Sequence, residues 1–152
     1  MTTIKDQIDW KTIDQLHTAT IEFSRNCSNI KKICVTLLVA SCTLLAKFNN
    51  NSLDLSFFIA GFVIPLFFWG LDASSYFYQE KLRGIINDKL NEIKIRNSDD
   101  AIKTPEGYVL EIKRTKDKRL IRSIFNNSML LYYILIGLDI TLFVAFKIGW
   151  IA

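Results

Sequence analysis

Residues 55–71 form an uncharged run of 17 positions containing five Phe, and no other feature narrows the folding options of this chain so far. The hydrocarbon core of a bilayer, about 30 Å thick, takes roughly 20 helical residues at 1.5 Å each. With Leu53 and the residues after Asp72 added, this block is long enough to cross. Two further blocks accompany it. Residues 33–46 carry no charge and lengthen if Lys31, Lys32 and Lys47 snorkel to the two interfaces. Residues 129–152 are apolar apart from Asp139 and Lys147. With 152 residues, 50% of them hydrophobic and gathered in blocks, the composition excludes a disordered chain and a disulfide-stapled secreted module, and argues against a soluble enzyme. The expected fold is an all-α membrane protein with three transmembrane helices, near 33–48, 54–72 and 128–152, plus a small cytoplasmic helix-and-β-hairpin region. A long polar stretch precedes the first block and no small-x-small site closes it, so it reads as a retained span and not a cleaved leader.

Orientation follows from the basic residues. Of 19 Lys and Arg, five precede residue 33 and twelve lie in 73–127, leaving only Lys47 and Lys147 for the other side. The positive-inside rule then puts the N-terminus and 73–127 in the cytoplasm of a bacterial inner membrane, and the C-terminus outside. The formal net charge of +4 arises mainly from 73–127, so it reports orientation and lipid contact before any nucleic-acid role.

The segments between the spans carry their own patterns. Trp10, Ile13, His17 and Thr20, with Leu16, Phe23, Cys27 and Ile30 on an adjoining stripe, predict an amphipathic helix over residues 6–28 that runs into the first span. Trp10 and Phe23 have two options, the headgroup layer or the other cytoplasmic helix. Leu82, Ile86, Leu90 and Ile93 continue the second span as one rod to about Arg96, and the stripe needs a partner, either the N-terminal helix or another copy of the chain. Residues 97–107 break it with Asn97-Ser98-Asp99-Asp100 and the turn signal Thr104-Pro105-Glu106-Gly107. Alternation at Tyr108, Leu110 and Ile112 predicts a strand pairing back to residues 101–104. Leu120, Ile121, Ile124 and Phe125 then lead helically into the third span. The basic run Lys113, Arg114, Lys116, Lys118, Arg119 and Arg122 is expected to lie on anionic lipid or to contact phosphate. Without interleaved aromatics or a Gly-rich loop, nucleic acid is a poor fit.

Few residues carry recognisable chemistry. Cys27, Cys34 and Cys42 are spaced by seven and eight, so they share a helical face and read as small packing residues. Without a CxxC pair, and with His17 the sole histidine, no metal or cofactor is expected. Asp139 is different. An isolated carboxylate near the middle of a span costs a few kcal/mol, so it must face protein or water. Either it is protonated and bonds to a neighbouring helix, or copies from several chains line an aqueous path for cations. Gly61 and Pro65 form a candidate hinge in the second span, and Gly137 would admit a neighbouring helix.

The inner end of the second span reads Trp69-Gly70-Leu71-Asp72-Ala73-Ser74-Ser75-Tyr76-Phe77-Tyr78-Gln79-Glu80-Lys81-Leu82-Arg83. It resembles the W-x-L-D, aromatic, then E and R pattern of the RipA-type octameric family of small bacterial membrane proteins. Trp69, Leu71, Asp72 and Arg83 match, while Tyr76 and Glu80 fall about one residue away from the family's positions. The resemblance covers fifteen to thirty residues and implies a ring-forming homo-oligomer without known enzymatic activity. Read from the residues alone, Trp69, Tyr76 and Tyr78 form an interfacial belt. Asp72 is placed to pair with a neighbouring Lys31 or Lys32, and Glu80 with Arg83 along the helix. No nucleophile–base pair or metal cluster accompanies them, so catalysis is not expected. Two functions remain: a homo-oligomeric, channel-like or membrane-disrupting effector of stress or defence controlled from its cytoplasmic side, or a membrane scaffold that recruits a cytoplasmic protein without a pore.

Overall fold

The computed structural model describes residues 4–48, 53–96 and 118–151. Its frame is a pair of very long antiparallel helices, α1 (Ile4–Phe48) and α2 (Leu55–Arg96). At 1.5 Å per residue each is about 65 Å long, roughly twice the thickness of a hydrocarbon core. Neither is interrupted where its apolar half meets its charged half. A short helix α3 (Arg119–Ile124) and a 3₁₀ turn (Asn127–Met129) lead to α4 (Leu130–Ile148). Three stretches are helical, long and apolar enough to cross a membrane: α1, α2 and residues 119–148. Among the described residues there is no strand. The expected hairpin falls in residues 97–117, outside them.

The α1–α2 seam repeats every seven residues. On α1 the buried positions are Asp6, Ile13, Thr20, Cys27 and Cys34, with Asp9, Leu16, Phe23 and Ile30 one half-step between. On α2 they are Phe58, Pro65, Asp72, Gln79 and Ile93, with Ile86 half-buried in the same register. A strict seven-residue spacing is the geometry of a left-handed coiled coil, in which both helices keep one stripe facing the partner over their full length. Here polar residues occupy much of that stripe, and they answer one another. Arg96 reaches Asp6 at 3.4 Å and also pairs with Asp9, which lies 3.5 Å from Lys89. Gln79 donates to the Thr20 carbonyl at 3.4 Å. Phe23 stacks on Tyr78, centroids 6.0 Å apart, while Trp10 faces outward. The partner of the cytoplasmic stripe is thus the chain's own N-terminal helix.

Two expectations about the third span are corrected. The helix does not run continuously from Leu120 into the span, because Asn126 caps both sides of a break. Its Nδ2 donates to the Arg122 and Ser123 carbonyls at 3.0 and 3.2 Å, and its Oδ1 accepts from the Ser128 amide at 2.7 Å. Trp69 Nε1 and Tyr133 Oη both donate to the Ile124 carbonyl, at 3.3 and 2.8 Å, and hold the corner against α2. The far end stops at Ile148, short of residue 152. Gly149 there has φ +81°, and the Gly149 and Trp150 amides close a Schellman turn onto Phe146 and Ala145 at 3.1 and 3.0 Å.

Candidate functional site

Two places hold polar groups where the fold is otherwise apolar. The first is the junction of the charged and apolar halves. Asp72 is completely buried there, and its Oδ2 accepts from Lys31 Nζ at 2.5 Å. Lys31 also donates to Ser128 Oγ at 3.1 Å, so one lysine ties α1 to α2 and to the turn before α4. Tyr132 is fully buried beneath it, with its ring centroid 6.0 Å from Lys31 Nζ. Cys27 is buried beside Asp72. Desolvation, and then the Asp72 carboxylate as hydrogen-bond partner and charge, push its thiol up to about 12. Asp72 has left water entirely while Lys31 keeps partial access to it, so the pair adds little net stability over apolar packing yet is costly to break from the lysine side.

The second place is the middle of the apolar half. Asp139 is the central residue of α4, and its carboxylate lies directly against Gly61 of α2. A Cβ at Gly61 would occupy the place of Oδ1, so only glycine admits the carboxylate there. Nearby hydroxyls bond along their own helices: Thr36 and Thr43 donate to the Lys32 and Val39 carbonyls at 2.9 and 2.8 Å, and Ser56 to Asp54 at 2.6 Å. Beyond Asp139 the helices are clasped by Phe58, whose ring lies 5.3 Å from Phe143 and 5.1 Å from Phe146.

The other expected site residues are distributed as follows. Pro65 lies inside an unbroken α2, buried on the same seam as Gly61. Close approach belongs to Gly61 and not to Gly137, around which the space within the chain is open. Along the motif, Asp72 and Glu80 are buried, Tyr76 is half-buried, and Arg83 stands 3.7 Å from Glu80. Asp72 pairs with Lys31 of its own chain, not with Lys32. Of the basic run, Lys113, Arg114 and Lys116 lie outside the described residues. Lys118 is exposed, whereas Arg119 is turned onto α2, where its Nη2 would lie 3.2 Å from a Cβ at Gly84. Among the described residues no group of three His, Cys, Asp or Glu is placed to hold a metal ion. Sequence reasoning did not single out Cys27, Ser128 or Tyr132 for the junction, since they come from three separate segments.

These features define an α-helical chain with three membrane-compatible helices joined to a coiled-coil stalk. No family model, curated protein or solved structure matches it.

Proposed function

We propose that the chain is a homo-oligomeric protein of a bacterial inner membrane, and that the α1–α2 stalk transmits a cytoplasmic event to the spans around Asp139 in a channel-like or membrane-disrupting effector. The observation that carries this reading is Asp139 itself. It sits at the centre of α4 against Gly61, and among the described residues it has neither a cation nor a hydrogen-bond donor. Buried residues make up 28% of the apolar window of α2 but only 6% of that in α1 and 11% of that in residues 119–148, so two spans have faces to spare for other copies. Assembly would let several Asp139 carboxylates share a water-filled path or bond to one another. The short resemblance to a ring-forming family agrees with this stoichiometry. The N-terminus and residues 73–127, including a β-hairpin within 101–113, face the cytoplasm, the C-terminus faces out, and the chain has no enzymatic role.

A scaffold is the second reading, and exposed apolar side chains at the far end of the stalk favour it. Ile4 and Ile8 are 78% and 60% exposed, well outside the apolar windows. The mass of the detergent-purified assembly separates the readings. A closed ring of several copies that leaks ions, with the leak altered by Asp139→Asn while the ring persists, supports the effector. A monomer that leaks nothing, yet captures a cytoplasmic protein, supports the scaffold.

A further inference from the structure

Above the Lys31–Asp72 pair, on the cytoplasmic side, the helices do not close. A cavity of about 360 Å³ opens between α1, α2 and the 3₁₀ turn. Its walls carry two cations, Lys31 and Arg83, and four hydroxyls, those of Ser24, Ser28, Tyr76 and Ser128. The buried amide of Gln79 lies at its edge. Among the described residues no carboxylate lines it: Asp72 is fully buried against Lys31, and Glu80 is buried 3.7 Å from Arg83. Lys31 spends two of its three donors on Asp72 and Ser128. Arg83 is within attraction of Glu80 at 3.7 Å but beyond hydrogen-bond distance, so its planar fork is available to a better acceptor.

We infer that this cavity binds a phosphate group. A fork-shaped guanidinium, an ammonium and several hydroxyl donors around one hollow match the three or four acceptor oxygens of a phosphate ester, and this mostly polar lining, with Cys27 among it, suits a phosphate better than a hydrocarbon chain. Its height in the fold adds a second argument. The cavity lies where the apolar halves of α1 and α2 give way to their charged halves, the level at which lipid phosphates stand. The phosphate therefore belongs either to an anionic lipid headgroup or to a soluble phosphorylated molecule arriving from the cytoplasm. The site is distinct from the basic run at 113–122, and the inference holds whether or not the assembly conducts.

Native mass spectrometry of the delipidated full-length protein in detergent tests it, with three probes: phosphatidylglycerol, diacylglycerol and inorganic phosphate. The expected result is retention of one phosphatidylglycerol or one phosphate per chain and no saturable diacylglycerol. Arg83→Gln removes the fork, and Ser28→Trp fills the hollow from an exposed position on α1. Each should weaken retention roughly tenfold or more while the helical signal and assembly mass stay unchanged. Phosphatidylglycerol that inorganic phosphate cannot displace assigns the site to lipid; phosphate that binds alone and displaces the lipid assigns it to a soluble ligand. The inference is overturned if neither binds better than diacylglycerol, or if both variants retain the probe as the parent does.

Discussion

At the far end of the stalk Asp6 and Asp9 face Arg96 and Lys89, while in the membrane half Asp139 faces the bare backbone of Gly61. The α1–α2 pair runs through both regions in one seven-residue register, and α4 joins it in the membrane half. In the stalk the seam is zipped by two buried carboxylates, Asp6 and Asp9, against the partly exposed cations Arg96 and Lys89, so water screens only the basic side of each pair. In the membrane half the seam is small residues and rings, and its single carboxylate has glycine for a neighbour. The Lys31–Asp72 pair stands at the boundary, half belonging to each region. The stalk is thus built to be adjusted by charge and the membrane half by shape, with one buried ion pair coupling them.

Breaking that coupling should have the largest effect. Lys31→Met leaves the fully buried Asp72 carboxylate without its cation, and removal of one partner of a buried pair typically costs about 3 kcal/mol or more. The expected result is a large fall in the thermal unfolding midpoint in detergent, with most of it recovered in Lys31→Met/Asp72→Leu. Equal loss in the double variant would show that the pair contributes packing and not charge.

Shape in the membrane half comes next. Gly61→Val places side-chain atoms where the Asp139 carboxylate lies, and overpacking of this kind costs about 1–3 kcal/mol. Asp139→Ala should suppress the defect, because it removes the atoms that collide. Should Gly61→Val be equally harmful with Asp139→Ala, α2 and α4 meet there through backbone alone. Gly137→Val, facing open space within the chain, should leave the monomer's stability unchanged and serve as the control.

The stalk should respond more weakly, and to pH. The Arg96 guanidinium, with help from Lys89, holds the Asp9 carboxyl below the usual carboxylate range despite some opposing desolvation. A depressed folded value gives stability that is complete above the unfolded value near 4 and lost as pH falls through the folded one. Lys89 is shifted upward, chiefly by Glu92 and then by Asp9, so its contribution is present below about 10.4 and fades above it. The distance between spin labels at exposed Gln7 and Asn91, in a cysteine-free background, should therefore stay constant from about pH 5 to 9 and broaden in strong acid. Arg96→Gln should broaden it at neutral pH and lower the midpoint of global unfolding, though less than Lys31→Met does, because Lys89 still faces Asp9. A label distance indifferent to acid would remove the charge zipper from the account.

Much of this frame was legible from residue order. The uncharged blocks, the continuation of the second span to Arg96 and the amphipathic N-terminal helix are local patterns of period 3.6, and helices express them directly. The shared heptad was not, because Asp6, Asp72 and Gln79 occupy positions that an apolar count skips. Their fitness for the seam lies in the residue opposite, which periodicity within one helix does not report. Gly61 against Asp139 is hidden for the same reason, since the two residues are distant in sequence and meet only through packing. The break before α4 was signalled by Asn126-Asn127-Ser128, whose capping chemistry was overridden by the apolar residues on either side.

The smallest effect tests which region owns the boundary. With its thiol pushed up to about 12, Cys27 holds far less thiolate at pH 8 than an ordinary thiol does. In a Cys34→Ala/Cys42→Ala background, a water-soluble maleimide should hardly label the folded protein at pH 8 and should label it fully once unfolded. Burial is the larger cause and the Asp72 carboxylate the lesser one, so Asp72→Asn should quicken labelling only slightly if the seam stays closed. Lys31→Met should quicken it much more if the boundary is held by the ion pair, because water then enters beside Asp72. If Lys31→Met labels no faster than Asp72→Asn, the packing of Tyr132 and Met129 alone keeps the junction dry, and the boundary belongs with the membrane half.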